Sequence, residues 1–403
     1  MSPTYKIKIR DKLSDFSNEE IEQWSSWADQ NPFSNPLFFK ALEDSDCIGE
    51  KIGWNPLYFS IHSDHQKITH RENEKRKEGN GEEEEEILAL VIGFVKTHSY
   101  GEYIFDWQWA QAYDNYQIPY YPKLTFAIPH SPVSAPKFLG DQKLIDQILI
   151  SHILSFAQKN HLSGTHFLFT QENENQILEK HQFLIRDSLQ YHFKNLNFEN
   201  FNDYLSQLKK NRRKNIKKER ASLHTLRDDL KIKRHSLLPS DQPLKEEHIR
   251  FFYRCYQDTI AKKGSMAYLN LDFFLHLFKN LPETLTLIIA EKEDTPIASS
   301  LFLHSQDTLY GRYWGCLEDI SFLHFELCIY QGIELTIEKK LKTFEAGAQG
   351  EHKLIRGFRP TLTKSAHYLF HPQFSKAIEN FLNEEKEYLS QTIEDLKKLS
   401  SIK

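Results

Sequence analysis

The sequence predicts an α/β fold, made of mixed α+β sheets flanked by helices and organised as two tandem units of similar plan. Three observations carry this. Short apolar or alternating segments, such as 54–62, 87–97 and 285–290, read as strands. Longer segments repeat their apolar residues at helical spacing: 141–160 places Leu144, Ile145, Ile148, Ile153, Leu154 and Phe156 on one stripe. Each half of the chain runs helices first, then strands, then a helix and a strand. That pattern divides the chain into units 1–195 and 196–403, joined near 190–200.

In the first unit, 18–29 and 36–45 read as short helices and 54–62 as a strand. Residues 64–86 carry almost no apolar side chain and predict a mobile, disordered insert within a hairpin. A buried strand resumes at 87–97. Strands at 123–129 and 165–170 bracket the helix 141–160, and 175–181 is helical. In the second unit, 201–226 predicts one long helix, and 243–261 and 271–281 two more. Strands at 285–290, 296–304 and 308–314, broken at Asp294 and Asp307, suit an antiparallel meander. Residues 322–340 are helical, 342–346 a strand, and 374–399 a closing amphipathic helix.

A chain of 403 residues with 39% hydrophobic and 13% aromatic content can bury a substantial core. The net charge of −5 is matched by the run Glu82 to Glu86 alone, so overall charge argues neither for nor against nucleic acid. Four scattered cysteines with no CxxC pair point to reduced thiols, not to a zinc site or a disulfide frame. No segment reads as a signal core or a bilayer span, which predicts a cytoplasmic protein with no transmembrane segment.

Four segments carry candidate chemistry. KKNRRKNIKKER, 209–220, concentrates Lys209, Lys210, Arg213, Lys214, Lys217 and neighbours on a helix whose Leu205, Leu208, Ile216 and Leu223 would face the core. Like charges this dense call for an anionic partner, and phosphate on RNA, a nucleotide or a lipid headgroup is the natural one. The block 98–113, read as a strand, alternates Tyr103, Phe105, Trp107 and Trp109 with Glu102, Ile104, Asp106 and Gln108. Acids among aromatics can acquire raised pKa values and act as bases, or serve as structural carboxylates bonded to phenols and indoles. In 309–332, Arg312 lies between aromatic residues with Tyr313 and Trp314, followed by His324 and Glu326 at a helix start. His324–Glu326 has the HxE spacing of a deaminase, but no PCxxC follows, so no metal is expected. FEAGAQGEHKLIRGF, 344–358, gathers Glu345, Gly347, Gln349, Gly350, Glu351, His352 and Lys353 into a glycine-rich turn able to present amides and a cation to an oxyanion.

Together NPFSNPLFFKALEDSD (31–46), 96–124, LKKNRRKNIKKER (208–220), YGRYWG (310–315), FLHFELCIYQGIELTIEKK (322–340) and FEAGAQGEHKLIRGF (344–358) resemble the FemAB-like family of the GNAT N-acyltransferase superfamily, a bacterial group tied to peptidoglycan biosynthesis or recognition. The resemblance spans nearly the whole chain and implies two tandem GNAT-like domains. It implies transfer of an aminoacyl group from aminoacyl-tRNA to an amine, on a lipid-linked peptidoglycan precursor in some relatives. The basic helix sits where such relatives carry a Lys/Arg-rich helix, and Lys353 where related transferases carry a Lys. The chain lacks the Arg/Gln-x-x-Gly-x-Gly/Ala loop with which GNAT enzymes hold the acetyl-CoA pyrophosphate.

The expected activity is therefore N-acyl transfer without a tightly bound cofactor, with aminoacyl-tRNA or acyl-CoA as co-substrate. Lys353, with amides near Gly347 and Gly350, would stabilise the oxyanion. Glu326, Glu351 or Asp106 would accept the amine proton, with His324 or His352 as alternatives. Arg312 would anchor an anionic group, and Tyr313, Trp314, Gln349, Glu102 and Trp107 would complete the substrate-binding set. Two other readings stand beside this one: an acetyl- or acyl-CoA-dependent GNAT enzyme, and a non-catalytic module binding RNA or muropeptides.

Overall fold

The computed structural model describes residues 5–28, 31–63, 85–225, 227–347, 350–399 and 401–402. The insert expected at 64–86 falls, apart from Glu85 and Glu86, outside the described residues. Local signals start the helices. Ser17 and Glu20 form a reciprocal capping box on Asn18–Trp27. Asn35 accepts the Leu37 amide ahead of Pro36–Asp44, with Pro36 in the first turn, where its missing N–H costs nothing.

The fold is mixed α/β, and its chain path is a repeat. The first pass runs β1 (Tyr5–Arg10), the two helices just named, the antiparallel strands β2 (Trp54–Ser63), β3 (Ile87–Lys96) and β4 (Lys123–Phe126), and a short β5 (Phe138–Gly140) paired to β3. A helical segment with a π turn at Ile145–Leu149 crosses to β6 (Gly164–Thr170), parallel to β4, and β7 (Leu184–Lys194) follows. The second pass repeats the main steps. It runs β8 (Leu230–Ser236), an edge strand β9 (Gln242–Pro243), the helices Glu246–Lys262 and Leu271–Asn280, and the antiparallel β10 (Leu285–Lys292), β11 (Thr295–His304) and β12 (Thr308–Cys316). A helical segment with its own π turn at Glu326–Tyr330 leads to β13 (Thr343–Glu345), parallel to β12, and then β14 (Arg359–Leu369). The pseudo-symmetry shows the expected plan of two similar passes directly.

The two passes form one sheet, ordered β1-β2-β3-β4-β6-β14-β7-β13-β12-β11-β10-β8-β9. The last strand of each pass is exchanged: β14 lies between β6 and β7, and β7 pairs with β13. The closing helix Pro372–Lys398 follows β14 back to the first pass. There Phe374 stacks on Tyr113 at 3.9 Å, and Glu385 takes both guanidinium arms of Arg186 at 2.8 Å. Among the described residues no helix is long and apolar enough to cross a membrane.

Two local expectations are corrected. Residues 98–106 are loop and 107–115 helix, not a strand, because Glu102 and Asp106 turn inward to lysines while Phe105 and Trp107 turn out. The helix expected over 201–226 is two, Phe201–Ser206 and Lys210–His224, hinged at Lys209, whose amide bonds the Ser401 carbonyl.

At the exchange seam, His166 of β6 faces His367 of β14, with their Nδ1 atoms 2.9 Å apart. Both rings are buried, and burial lowers both pKa values, His166 to about 3. The unfolded chain takes up these protons near pH 6.5 and the folded chain does not. Stability from the pair is therefore whole above pH 6.5 and falls as pH drops, each ring contributing a slope of up to about 1.4 kcal/mol per pH unit. Urea midpoints between pH 7.5 and 5 should show this slope shrinking by about two protons in a His166→Asn/His367→Asn double variant. An unchanged slope refutes the assignment.

Candidate active site

β12 and β13 pair only over Thr308–Tyr310 and Thr343–Glu345, and beyond them β12 runs on to Cys316 while β13 ends. Tyr310, Glu345 and His192 of β7 are direct register partners and so stand in one row on one face. The first pass covers that face. Asn31 donates to the Tyr310 hydroxyl at 3.2 Å, Phe33 packs edge-on against the Tyr310 ring at 4.9 Å, and the amide of Ser134 bonds the Glu345 carboxylate.

Glu345 is buried. Desolvation raises its carboxyl to about 7, against the opposing pull of Arg312, Lys194 and Lys137. Its Oε2 has no hydrogen-bond partner. Lys137, also buried, donates hydrogen bonds to the carbonyls of Ala135 and Phe169, each at 2.6 Å, and desolvation lowers it to about 8.

Arg312 occupies a β-bulge: Leu301 pairs with Tyr313 and Phe302 with Gly311, leaving Arg312 between them. Bulges re-aim a side chain, and here the guanidinium reaches the His130 carbonyl of the first pass at 3.1 Å. Its Nε is buried without a partner. Tyr313 packs into the aromatic cluster of Phe252, Tyr256 and Phe274 rather than into open space.

Next to this row lies the glycine-rich turn, where Gly347 and Gly350 both adopt positive φ. Lys353 sits in a 3-10 turn, Glu351–Arg356, and its Nζ donates to the Gly347 carbonyl at 2.7 Å. Burial lowers it to about 8, and its charge helps hold His192 neutral. The His352 ring covers Gly350 so closely that a Cβ there would meet it at 2.3 Å. His324 lies against Trp314, ring centres 5.2 Å apart, and near His352 at 6.3 Å; burial lowers its pKa to about 4. Gln349 and the Glu351 side chain lie outside the described residues.

The structure thus brings together Lys353, His324, His352, Trp314, Gly347 and Gly350, with Arg312 on β12, the strand that also carries Trp314. It sets the other candidates apart. Glu326 is fully buried and gripped by Arg220 through two bonds of 3.0 and 2.9 Å, by His224 at 3.0 Å and by Gln331 at 2.9 Å. Burial opposes its ionisation, but the bonds from His224 and Arg220 outweigh it and hold the carboxyl below its usual range. A carboxylate so satisfied is a poor proton acceptor.

Asp106 and Glu102 lie in the first pass, both bonded to buried Lys123. Burial alone would raise Asp106, yet Lys123, Ser99 and Tyr120 bring it down to about 2, which contradicts a raised-pKa base there. Lys96, held over the Trp54 ring at 3.7 Å, completes the cluster, and burial lowers it to about 7. Trp107 is exposed, its ring against Tyr100.

The basic helix Lys210–His224 has two faces. Ile216, Leu223, Glu219 and Arg220 point inward. Glu219 accepts from Arg356 at 2.9 Å and from the Tyr330 hydroxyl, so the helix is tied to the turn that holds Lys353. Lys209, Lys210, Lys214, Lys217 and Lys218 are exposed and Arg213 half-exposed. Among the described residues no carboxylate is paired with Lys210, Arg213, Lys214 or Lys217 within 4.0 Å.

Sequence reasoning singled out the turn containing Glu345 but not that residue's carboxyl. Its distinguishing feature is burial by residues far away in sequence, which no local pattern reports.

Comparison with solved structures gives the fold's relatives. The crystal structure of FemX superposes with a TM-score of 0.51 at 10% identity, over 93% of this chain and 100% of that one. A conserved protein of unknown function from Bacteroides thetaiotaomicron VPI-5482 gives 0.47 at 12%, over 90% and 99%. A tandem GNAT protein from the clavulanic acid biosynthesis pathway gives 0.40 at 7%, over 91% and 98%. No curated protein matches the sequence. The FemAB-like family, described as peptidoglycan biosynthesis/recognition, matches residues 15–403, and with nearly the whole chain inside that match the protein belongs to the FemAB-like family.

Proposed function

We propose that this protein is an N-acyltransferase that carries an aminoacyl group from aminoacyl-tRNA to an amine, with a peptidoglycan precursor as the acceptor. A tRNA donor puts the reaction in the cytoplasm. The observation that carries the reading is the outer face of the helix Lys210–His224: a row of cations with no acidic partner among the described residues, on a helix bolted by Glu219 and Arg220 to the elements around Lys353. A polyanion seated there lies beside the turn that would receive its acyl end.

The chemistry asks little of the protein beyond positioning, because the donor ester is already activated. Lys353 would carry the oxyanion charge, with the amides of Gly347 and Gly350 as further donors. Its shift to about 8 leaves it mostly protonated at neutral pH. His324, neutral in its buried setting, would line the cleft.

An acyl-CoA donor is the second reading. The segment 317–322, between β12 and the following helix, has no glycine and carries Glu318 and Asp319, which disfavours a pyrophosphate there.

The test is binding of charged and uncharged tRNA across a salt series, with acetyl-CoA in a parallel thermal shift assay. Salt-sensitive binding that prefers charged tRNA supports the proposal; a CoA shift without tRNA binding overturns it. A Lys210→Glu/Lys214→Glu/Lys217→Glu variant should lower the slope of log affinity against log salt by about 3 and leave the urea midpoint unchanged. An unaltered slope removes this face from the binding surface.

A further inference from the structure

We propose that Glu345 and Arg312 form the acceptor subsite, and that its ligand is a primary amine with a carboxylate on the neighbouring carbon, as in the head of an amino acid. This rests on the acyl-transfer reading above and names the acceptor class for it.

Two unsatisfied atoms motivate the assignment. Glu345 Oε2 accepts nothing and Arg312 Nε donates to nothing, though both are buried. Buried polar atoms are almost always paired, and this acceptor and this donor lie on adjoining strands, both bonded from the same first-pass loop at His130 and Ser134, so one ligand carrying both polarities would suit the two. The two side chains influence each other electrostatically yet form no ion pair within 4.0 Å, so each stays available to a third group. An ammonium satisfies Oε2 and a carboxylate satisfies Nε, and on adjacent carbons the two are held a few ångströms apart.

The backbone fixes both partners. Glu345 ends β13 where β12 and β13 part, and the Ser134 amide already holds its carboxylate. The bulge aims Arg312 to the same side, where the His130 carbonyl takes one arm. Tyr103, from the 98–106 loop, is close enough to Arg312, Tyr313 and Tyr268 to share their fields, and Tyr268 stacks on His130 at 5.0 Å. The walls are thus aromatic, with a carboxylate and a guanidinium as the polar anchors, the composition of a small-ligand site.

In the reaction, the bound ammonium first releases one proton to solvent, and the neutral amine nitrogen then attacks the acyl carbonyl of the donor ester. The C–N bond forms, the surplus proton on nitrogen passes to Glu345, and the ester C–O bond breaks. The departing alkoxide leaves as a hydroxyl after receiving that proton, which returns Glu345 to its carboxylate. Glu345 is then a catalytic residue, because it touches the reacting nitrogen.

The experiment uses the full chain and three probes: alanine, alaninamide, which lacks the carboxylate, and propionate, which lacks the amine. Binding is measured by calorimetry for the wild type, Glu345→Gln and Arg312→Gln, with circular dichroism and urea unfolding to show that each variant is folded. Alanine should bind at least ten times more tightly than either analogue. Arg312→Gln should bring alanine down to the alaninamide level, and Glu345→Gln to the propionate level. Equal binding of all three probes, no binding of any, or variants that keep the preference overturns the proposal. Loss of probe selectivity while acyl transfer from charged tRNA persists defeats this subsite alone. Selectivity without any transfer defeats the acyltransferase reading alone.

Discussion

Glu345→Gln should make the protein more stable at pH 8 while removing its transfer activity. In the folded chain burial lifts the Glu345 carboxyl from 4.5 to about 7. The folded state therefore holds this proton more tightly than the unfolded state does. Stability from the protonated group is whole below pH 4.5, is lost as pH rises towards 7, and stays lost above it. The gap corresponds to about 3 kcal/mol of strain from a buried carboxylate at pH 8. Arg312 on β12, Lys194 on β7 and Lys137 in the covering loop already attract this charge, and the shift remains upward in spite of them. His192 beside it is held neutral by burial and adds nothing.

Glutamine keeps the shape and has no charge to desolvate. The variant should gain up to about 3 kcal/mol at pH 8 and close to nothing at pH 4.5, and its melting temperature at pH 8 should rise by roughly 3 °C for a chain of this length. Urea midpoints at pH 4.5 and 8 measure the difference. Parallel wild-type and variant curves across that range would show that the carboxylate carries no such strain. A group that destabilises the fold and is nonetheless present is best explained by function, and stability gained with activity lost is the signature of such a group.

How far the sequence reveals this structure depends on where each residue's partners lie. Elements governed by neighbours in the chain were legible. The strands expected at 285–290 and 296–304 are observed as Leu285–Lys292 and Thr295–His304. The helix expected at 36–45 is Pro36–Asp44, set by Asn35 and Pro36. Elements governed by distant partners were not. β7 reads LIRDSLQYHFK, too polar for an interior strand, yet it lies between β13 and β14. Its polar groups are satisfied from afar: Arg186 by Glu385, Gln190 by the Pro132 carbonyl.

The 98–113 block misled in the same way. Alternation suggested a strand with one aromatic face, but Lys123 recruits Glu102 and Asp106 into the interior, and that pairing overrides the pattern. The candidate site divides along the same line. The turn 344–358 announced itself through its glycines, whereas the bulge at Arg312 and the burial of Glu345 exist only once the two passes are packed together.

Arg220 gives the second large effect, and it separates folding from binding within one helix. By sequence Arg220 shares a cationic stripe with Lys209, Arg213 and Lys217. In the structure it turns inward, stacks over Phe201 at 4.5 Å, and forms paired bonds with Glu326 and Glu334. Glu326 is wholly buried. Arg220→Met leaves that carboxylate with only His224 and Gln331, and an uncompensated buried charge costs roughly 3–5 kcal/mol. Lys217→Met, a few residues earlier on the exposed face, should change stability by less than about 0.5 kcal/mol. Adding Glu326→Gln to Arg220→Met should recover much of the loss, because the stranded charge goes with it, and the coupling in the double-mutant cycle should exceed about 1 kcal/mol. Urea unfolding of the four proteins measures it. An Arg220→Met variant as stable as Lys217→Met would mean that the inward network adds nothing to the fold. The opposite pattern is expected for polyanion binding, which Lys217 should weaken and Arg220, already engaged by two carboxylates, should leave unchanged wherever the variant remains folded.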